Sequence, residues 1–440
     1  MYENGGPFMK SLWVAILALL FLGACSHTPK FTPEGERCDL VRYSLETSLP
    51  GERPLKSVIE ENPGNMLLLS GGSQNGAFGV GFLDGWHKSG RMPDFRLVTG
   101  ISTGALQSTG AFIGRPEISV NGYTIDDEGQ LLVTDINGSD IEDGFSLKAI
   151  YKLLTKGSIS DLIPLRDRLD EIMTDEVLRA VAARYPEDVS KRDYLLAGAT
   201  DVDLGVAVAF DLTEVAARYA KAGDETQRKL LKDCYIEALV ASSIVPPGAR
   251  PSFIDNRMYI DGGVRYAVFD DRFSEVLEDR STDRLIREED RHALYLILNA
   301  SGDSREDCQK VDPANCAPER ATIGQRKDWE VLDLAVRTLE LFENQIRRLS
   351  VDRARERARN QNLPFYFARI RNKDLSDPHR IYSIPDFEDQ GPKTCEQWRS
   401  IDDAEDDPVE FHRRFMRCLI EYGRDRASEA EWDLQPRDDY

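Results

Sequence analysis

Short apolar runs alternate with glycine-rich breaks from residue 64 onward. The run Met66–Leu69 is continuously apolar and ends at a Ser-Gly-Gly break, a pattern typical of a buried parallel strand. A helix is predicted next, ending at Gly90, followed by a strand at 96–100, a tight turn and a second helix at 103–113. This order of strand, glycine-rich turn, helix, strand, turn and helix predicts an α/β protein whose sheet is covered on both faces.

Residues 114–145 interrupt this alternation. Asn121-Gly122 and Asp127–Gly129 lie between apolar residues, which predicts an insertion that contains a hairpin. Helical periodicity resumes from about Leu147 to Tyr185, with an interruption at Pro164. The later predicted elements are strands at 193–199 and 205–212, a helix at 225–243, strands at 257–260 and 293–299, a long helix around 329–360, a strand at 365–370 and a largely helical C-terminus.

The first apolar segment of the chain is shorter than a membrane span. In "MKSLWVAILALLFLGACS" (9–26) one lysine precedes an apolar run from Leu12 to Leu22, whereas a spanning helix needs about 20 apolar residues. The run is typical of a secretory signal, and "LGAC" at 22–25 resembles a bacterial lipobox. That resemblance implies cleavage before Cys25 and diacylation of its sulfur. An ordinary cleaved signal or an N-terminal anchor helix are the alternatives.

The charge and the cysteine content limit the class of binding partner and the compartment in which the protein works. The chain of 440 residues has a formal net charge of −21, which argues against nucleic acid as a partner because no overall positive field attracts phosphates. Six cysteines besides Cys25 permit disulfides in an exported protein. We predict a pair between Cys308 and Cys316 and a second between Cys395 and Cys418. Cys234 lies in a helix-like run and is interpreted as a small buried apolar residue.

Two short motifs at strand ends suggest nucleophilic chemistry. In "VTGISTGAL" (98–106), Gly100 and Gly104 flank Ser102 at a strand-to-helix turn, an arrangement that exposes a serine hydroxyl at a helix N-terminus. The loop "SGGSQNG" (70–76) also joins a strand to a helix, so its N–H groups can hold an anion. It lacks the Lys-Ser/Thr pair of a Walker A loop, and the next strand ends in glycine where a dinucleotide fold has an acidic residue.

The base that would activate Ser102 is better supplied by a carboxylate than by a histidine. Of five histidines only His379 lies in a predicted loop at a suitable place in the chain order. By contrast, "YIDGG" places Asp261 at a strand end before Gly262 and Gly263. A turn-forming aspartate is the alternative interpretation, and Asp201 and Asp203 also follow a strand but lack the glycine pair.

Together with "ASSIVPPGARP" (241–251), these motifs resemble the patatin-like phospholipase family over about residues 64–270. The resemblance implies a three-layer α/β/α fold with a mostly parallel sheet and a Ser–Asp dyad, in which Ser102 is the nucleophile and Asp261 the base. It also implies an oxyanion hole at Gly71, Gly72 and Ser73, with Gly76 as a motif residue. Two departures are Ser73, where the family has a third glycine, and Asn75, where it often has a basic residue.

Together, the lipobox-like segment and the family resemblance imply a lipid-anchored serine acyl hydrolase that acts on phospholipid or another acyl ester and needs no metal or organic cofactor. The alternatives are acyl transfer to an acceptor other than water, or a catalytically silent envelope protein that binds lipid or a partner. The chain then divides into a signal peptide (1–24), a tether (25–62), a catalytic domain with its insertion (63–300) and a helical C-terminal extension packed on that domain (301–440). Family analogy favours the outer membrane, facing the periplasm.

Overall fold

The computed structural model describes residues 31, 37–45, 53–54, 64–134, 136–137, 158, 160–246, 248–269, 292–301, 331–360, 362–428 and 432–433. The predicted signal peptide, Cys25, most of the tether and the Cys308–Cys316 pair lie outside this range. Among the residues covered, no helix combines the length and apolar character that a membrane crossing requires.

A ten-stranded sheet runs through the described part of the chain. Its strands are β1 (Arg42–Ser44), β2 (Arg53–Pro54), β3 (Met66–Leu69), β4 (Leu97–Ile101), β5 (Tyr194–Asp201), β6 (Val206–Asp211), β7 (Ser252–Ile254), β8 (Arg257–Asp261), β9 (Leu294–Leu298) and β10 (Phe365–Arg369). The main order is β10-β9-β3-β4-β5-β6-β1-β2, with β8 on β5 and β7 on β8. From β10 to β5 all neighbours are parallel, whereas β6 and β8 pair with β5 antiparallel.

Helices cover both faces of this sheet. They are α1 (Gly76–Lys88), α2 (Thr103–Phe112), α3 (Glu117–Tyr123), α4 (Ile163–Ile172), α5 (Asp175–Ala183), α6 (Leu212–Lys221), α7 (Glu225–Ala241), α8 (Val331–Asn360), α9 (Asn372–Leu375), α10 (Cys395–Glu405) and α11 (Arg413–Ser428). One core cluster joins one face of the sheet to residues of α1, α2, α6, α7 and α11. The other cluster joins the opposite face to α8 through Val351, Ala354 and Ala358. The predicted mostly parallel sheet between helical layers is confirmed.

Helix α11 packs tightly against α1. A side chain on Gly81 of α1 would collide with the backbone of Ile420 in α11, so only glycine allows the two helices to approach this closely. Beside this contact, Arg424 of α11 donates to the buried Asp84 of α1 at 2.6 Å. The C-terminal part of the chain is therefore fixed to the helix that follows the glycine-rich loop.

Part of the insertion forms a helix where a hairpin was predicted. Asn121 and Gly122 lie inside α3, and Val120 and Tyr123 of this helix are buried in the core. Two apolar residues three positions apart lie on one side of a helix, so burial of that side outweighs the turn preference of Asn-Gly. The hairpin prediction is wrong for the described residues. A further element that the pattern did not predict, α6, starts directly after β6 with the Asp211 side chain capping its first turn.

Two disulfides occur among the described cysteines. Cys395 pairs with Cys418, which confirms that prediction. Cys234 pairs with Cys38, so its interpretation as an unpaired buried residue is wrong. The two cysteines are 196 residues apart and meet only because Cys38 lies beside α7, which local sequence patterns do not reveal.

Candidate active site

Ser102 occupies a sharp backbone turn between β4 and α2. Its backbone has φ 55° and ψ −128°, a conformation that residues with a side chain rarely adopt and that is typical of a strained catalytic turn. A Cβ on Gly104 would lie 2.6 Å from the carbonyl carbon of Leu69 and 2.7 Å from the carbonyl oxygen of Ser70. Glycine is therefore required for this turn to pack against the neighbouring strand end.

The register of the sheet brings Ser102 and Asp261 together. Strand β4 pairs with β5 up to the Ile101–Gly198 pair, and β8 pairs with β5 from the adjacent Ala199, which faces Asp261. Since β6 occupies the other edge of β5 over these residues, β4 and β8 share one edge and meet end to end. Their last residues lead directly into the site.

Asp261 is buried and lies close to Ser102. Its side chain accepts a hydrogen bond from the Gly263 N–H at 2.6 Å. Burial raises the pKa of Asp261 from 3.8 to about 6, while the Ser102 side chain and the Gly263 N–H act in the opposite direction. Glu343 and Arg347 of α8 have smaller and opposing effects on this pKa. At pH 7 the carboxyl group is therefore largely ionised and able to accept a proton.

The loop between β3 and α1 borders the same hydroxyl. A Cβ on Gly71 would lie 3.1 Å from the Ser102 Cβ, so the loop backbone lies next to the serine. Within the described residues, the backbone hydrogen bonds include none donated by the N–H of Gly71 or Gly72. Ser73 has φ 51°, a left-handed backbone conformation that favours glycine. These N–H groups can stabilise an oxyanion formed at Ser102.

A largely apolar pocket of about 160 Å³ opens beside Ser102 and Ser73. Its walls come from α2, α3 and α4, from the loops after α3, α4 and α7, and from the segment that precedes α11. Apolar residues of these walls include Leu106, Leu131, Leu165, Leu169, Met173 and Val245. Such a wall suits an acyl chain better than a polar group.

The structure brings most of the predicted site residues to one place. Ser102, Asp261 and the Gly71–Ser73 backbone converge, and Gly100, Gly104, Gly262 and Gly263 form the turns that carry them. Gly76 begins α1 at the end of the loop. Their catalytic roles stay predictions.

The rival residues lie elsewhere or have other partners. His379 is on an exposed loop, where its N–H donates to Asp377. Asp201 accepts from the Leu204 N–H and pairs with Arg257, and Asp203 accepts from the Met258 N–H. Both aspartates therefore stabilise a turn, as their sequence context indicates.

Three supporting residues were missed by the sequence interpretation. Ser242 was assigned only to a helix end, but its hydroxyl accepts from the Ser102 N–H at 2.9 Å and donates to the Gly198 carbonyl. Asn299 donates through its side chain to the Ser70 carbonyl at 2.7 Å; its position after a predicted parallel strand was an available signal. Glu410 accepts from the Ser73 hydroxyl, and no local pattern marks it. Nowhere in the described part of the chain do three His, Cys, Asp or Glu residues form a possible metal site.

The part of the chain that contains Ser102 and Asp261 matches a known protein family. Residues 67–269 match the family model described as patatin-like phospholipase. No curated protein matches the chain. Among solved structures, VipD from Legionella pneumophila is similar over 75% of this chain and 72% of its own, with 11% sequence identity and a TM-score of 0.29.

Proposed function

The chain carries a patatin-like phospholipase domain at residues 67–269, and from this premise we propose that it is a lipid acyl hydrolase with a Ser102–Asp261 dyad. The observation that carries the proposal is the meeting of β4 and β8 on one edge of β5, which brings the buried Asp261 carboxyl group close to Ser102. Ser102 also lies beside Gly71 and lines an apolar pocket.

In the proposed reaction, the Ser102 oxygen attacks the ester carbonyl while Asp261 accepts the hydroxyl proton. The negative charge that develops on the carbonyl oxygen is stabilised by the N–H groups of Gly71, Gly72 and Ser73 and by the N-terminus of α2. The bond to the leaving alcohol then breaks, and that alcohol takes the proton from Asp261. Water attacks the acyl-enzyme by the same route and releases the fatty acid.

The pKa of Asp261 sets the pH range of this reaction. A carboxyl group with a pKa of about 6 is ionised for about nine-tenths of the time at pH 7 and is a stronger base than an exposed aspartate. We expect kcat/KM to fall by about tenfold per pH unit below pH 6, because the protonated carboxyl group cannot accept the serine proton.

We also propose that a lipidated Cys25 anchors the protein in the bacterial outer membrane. The folded part of the protein would then face the periplasm. The lipobox-like "LGAC" at 22–25 supports this. The two disulfides support an oxidising compartment. Globomycin treatment of cells should leave the unprocessed precursor in place if the attachment is correct, and processing that is unaffected would contradict it.

The central test is labelling by a fluorophosphonate together with release of fatty acid from phospholipid vesicles. Wild-type protein is expected to be labelled and to release fatty acid, and Ser102→Ala to do neither. Ser376→Ala, a change at an exposed serine, is the matched control and should behave as wild type. Absence of labelling in wild type, or labelling that survives Ser102→Ala, would contradict the proposal. Formation of a new ester in place of free acid would identify a transferase.

A further inference from the structure

The active-site pocket has one wall from outside the family domain. The segment Asp407–His412, here called the clasp, joins α10 to α11 and contributes Glu410 and Phe411 to the pocket. It follows the end of the matched residues 67–269 by more than a hundred positions. The pocket is therefore composite.

The clasp bonds directly to the glycine-rich loop at two successive residues. The Ser73 hydroxyl donates to the Glu410 carboxylate. The His412 N–H donates to the Gln74 Oε1 at 3.2 Å, and the His412 ring Nδ1 lies 3.1 Å from the same oxygen. The clasp thus contacts the loop at Ser73 and Gln74, directly after Gly71 and Gly72.

Glu410 is held in place from several sides. The Glu128 carboxylate accepts from the N–H groups of Val409, Glu410 and Phe411, at 2.9, 2.6 and 2.8 Å. The His412 Nε2 lies 2.7 Å from Asp403, and the helix that follows is packed against α1. These contacts fix the backbone of the clasp, so Glu410 stays within reach of the Ser73 hydroxyl that its carboxylate accepts from.

The loop needs such support because it has few bonds of its own. At the start of the loop, Asn299 makes two hydrogen bonds with Ser70. Near the end of the loop, the Asn75 N–H donates to the Gly72 carbonyl and closes a turn. Between them, Ser73 retains φ 51°, which costs a residue with a side chain about 1 kcal/mol or more. The hydrogen bond to Glu410 is a contact that glycine at this position could not make.

From this geometry we infer that Glu410 is a positioning residue that holds the oxyanion loop in its active conformation through Ser73. The inference rests on the proposed function. Because most of the apolar wall of the pocket comes from α2, α3 and α4, substrate binding is expected to persist when this bond is lost, whereas stabilisation of the oxyanion is weakened. Loss of the Ser73–Glu410 hydrogen bond is therefore expected to lower kcat and to leave KM nearly unchanged.

The test is a mutant cycle between Ser73 and Glu410. Glu410→Ala is expected to lower kcat by about 10- to 30-fold with KM within about twofold, since complete removal of an oxyanion donor costs about 100- to 1000-fold and this change only displaces one. Glu410→Gln keeps an oxygen that accepts from Ser73 and should restore kcat to within about threefold of wild type. Ser73→Ala should match Glu410→Ala, and the double variant should lose no more than either. Glu388→Ala, at an exposed residue of the C-terminal part, is the control.

Hydrogen exchange gives a readout that is independent of catalysis. Amides of residues 66–78 should exchange faster in Glu410→Ala than in wild type, while those of β5 stay unchanged. Wild-type kcat in Glu410→Ala, additive losses in the double variant, or no rescue by Glu410→Gln would overturn the positioning role alone. Failure of wild type to be labelled at Ser102 would instead overturn the proposed function.

Discussion

In the proposed reaction, the turn at Ser102 and the glycine-rich loop at 70–76 act on the same carbonyl group, but they are held in place in different ways. The turn is fixed by backbone register, because β4 and β8 meet along one edge of β5. The loop is fixed by side chains from distant segments, namely Asn299 and Glu410. We conclude that changes in the turn should act as all-or-none defects, whereas changes in the loop supports should give graded losses.

The largest effect is expected at the end of β8. Asp261→Asn removes the base next to the Ser102 hydroxyl while keeping the size of the side chain. We expect kcat to fall by about 10⁴-fold, the loss typical when the partner of a nucleophilic pair becomes an amide. Steady-state hydrolysis with KM determined separately measures this change. A loss below about tenfold would remove Asp261 from the dyad.

The same substitution should stabilise the fold. The folded-state pKa of Asp261 is raised from 3.8 to about 6, so the folded protein binds this proton more tightly than the unfolded chain does. Stability from this group is complete below about pH 4 and is lost as pH rises through 6, by about 3 kcal/mol in total. Asp261→Asn should therefore unfold at higher urea than wild type at pH 7 and at equal urea at pH 4. A uniform difference at both pH values would contradict the assigned cause.

Next in size is a change inside the turn itself. Gly104→Ala places a methyl group within 2.6 Å of the Leu69 carbonyl carbon, so the turn must move away from β3. We expect a loss of stability of about 3 kcal/mol and a fall in kcat of at least about 100-fold, because a shift near 1 Å misplaces the nucleophile. Gly223→Ala, where an added methyl group meets nothing within 4 Å, is the matched control and should leave both unchanged.

Removing the Asn299 side chain, which supports the glycine-rich loop, should lower kcat less than Gly104→Ala does. Asn299→Ala removes the hydrogen bond of 2.7 Å to the Ser70 carbonyl and leaves the sheet register intact. We expect kcat to fall by about tenfold with little change in KM, since one donor of the oxyanion hole is displaced rather than deleted. An all-or-none loss comparable to that of Gly104→Ala would show that the loop is as rigidly coupled to the sheet as the turn is.

The smallest effect is expected at Ser242, whose hydroxyl bridges the Ser102 N–H and the Gly198 carbonyl. In Ser242→Ala the turn loses one side-chain contact but keeps its backbone register, so kcat should fall by no more than about threefold. Two buried polar groups lose a partner, which should lower stability by about 2 kcal/mol. Kinetics and urea unfolding on one preparation separate the two effects; a kcat loss larger than that of Asn299→Ala would reverse the ranking.

The same division explains what the sequence could predict. Ser102, Asp261 and the loop glycines could be identified because the turns they form need particular residues at fixed local spacing. Glu410 could not, because it lies 337 positions from Ser73 and resembles any surface glutamate until the packing of α11 on α1 is known. The hairpin prediction at Asn121-Gly122 failed because it also depends on packing that the local sequence does not show. Burial of Val120 and Tyr123 outweighs the turn preference of Asn-Gly.

The bridge between Cys38 and Cys234 closes a covalent ring around the first half of the folded chain. Ser102 and the oxyanion loop lie within the ring, whereas Asp261 lies beyond it. A protease that cuts once between the two cysteines opens the ring without releasing either piece, since each remains tied through sulfur. Such a nicked molecule should migrate as one band without reductant and as two with it, and it can still hold nucleophile and base in the same particle.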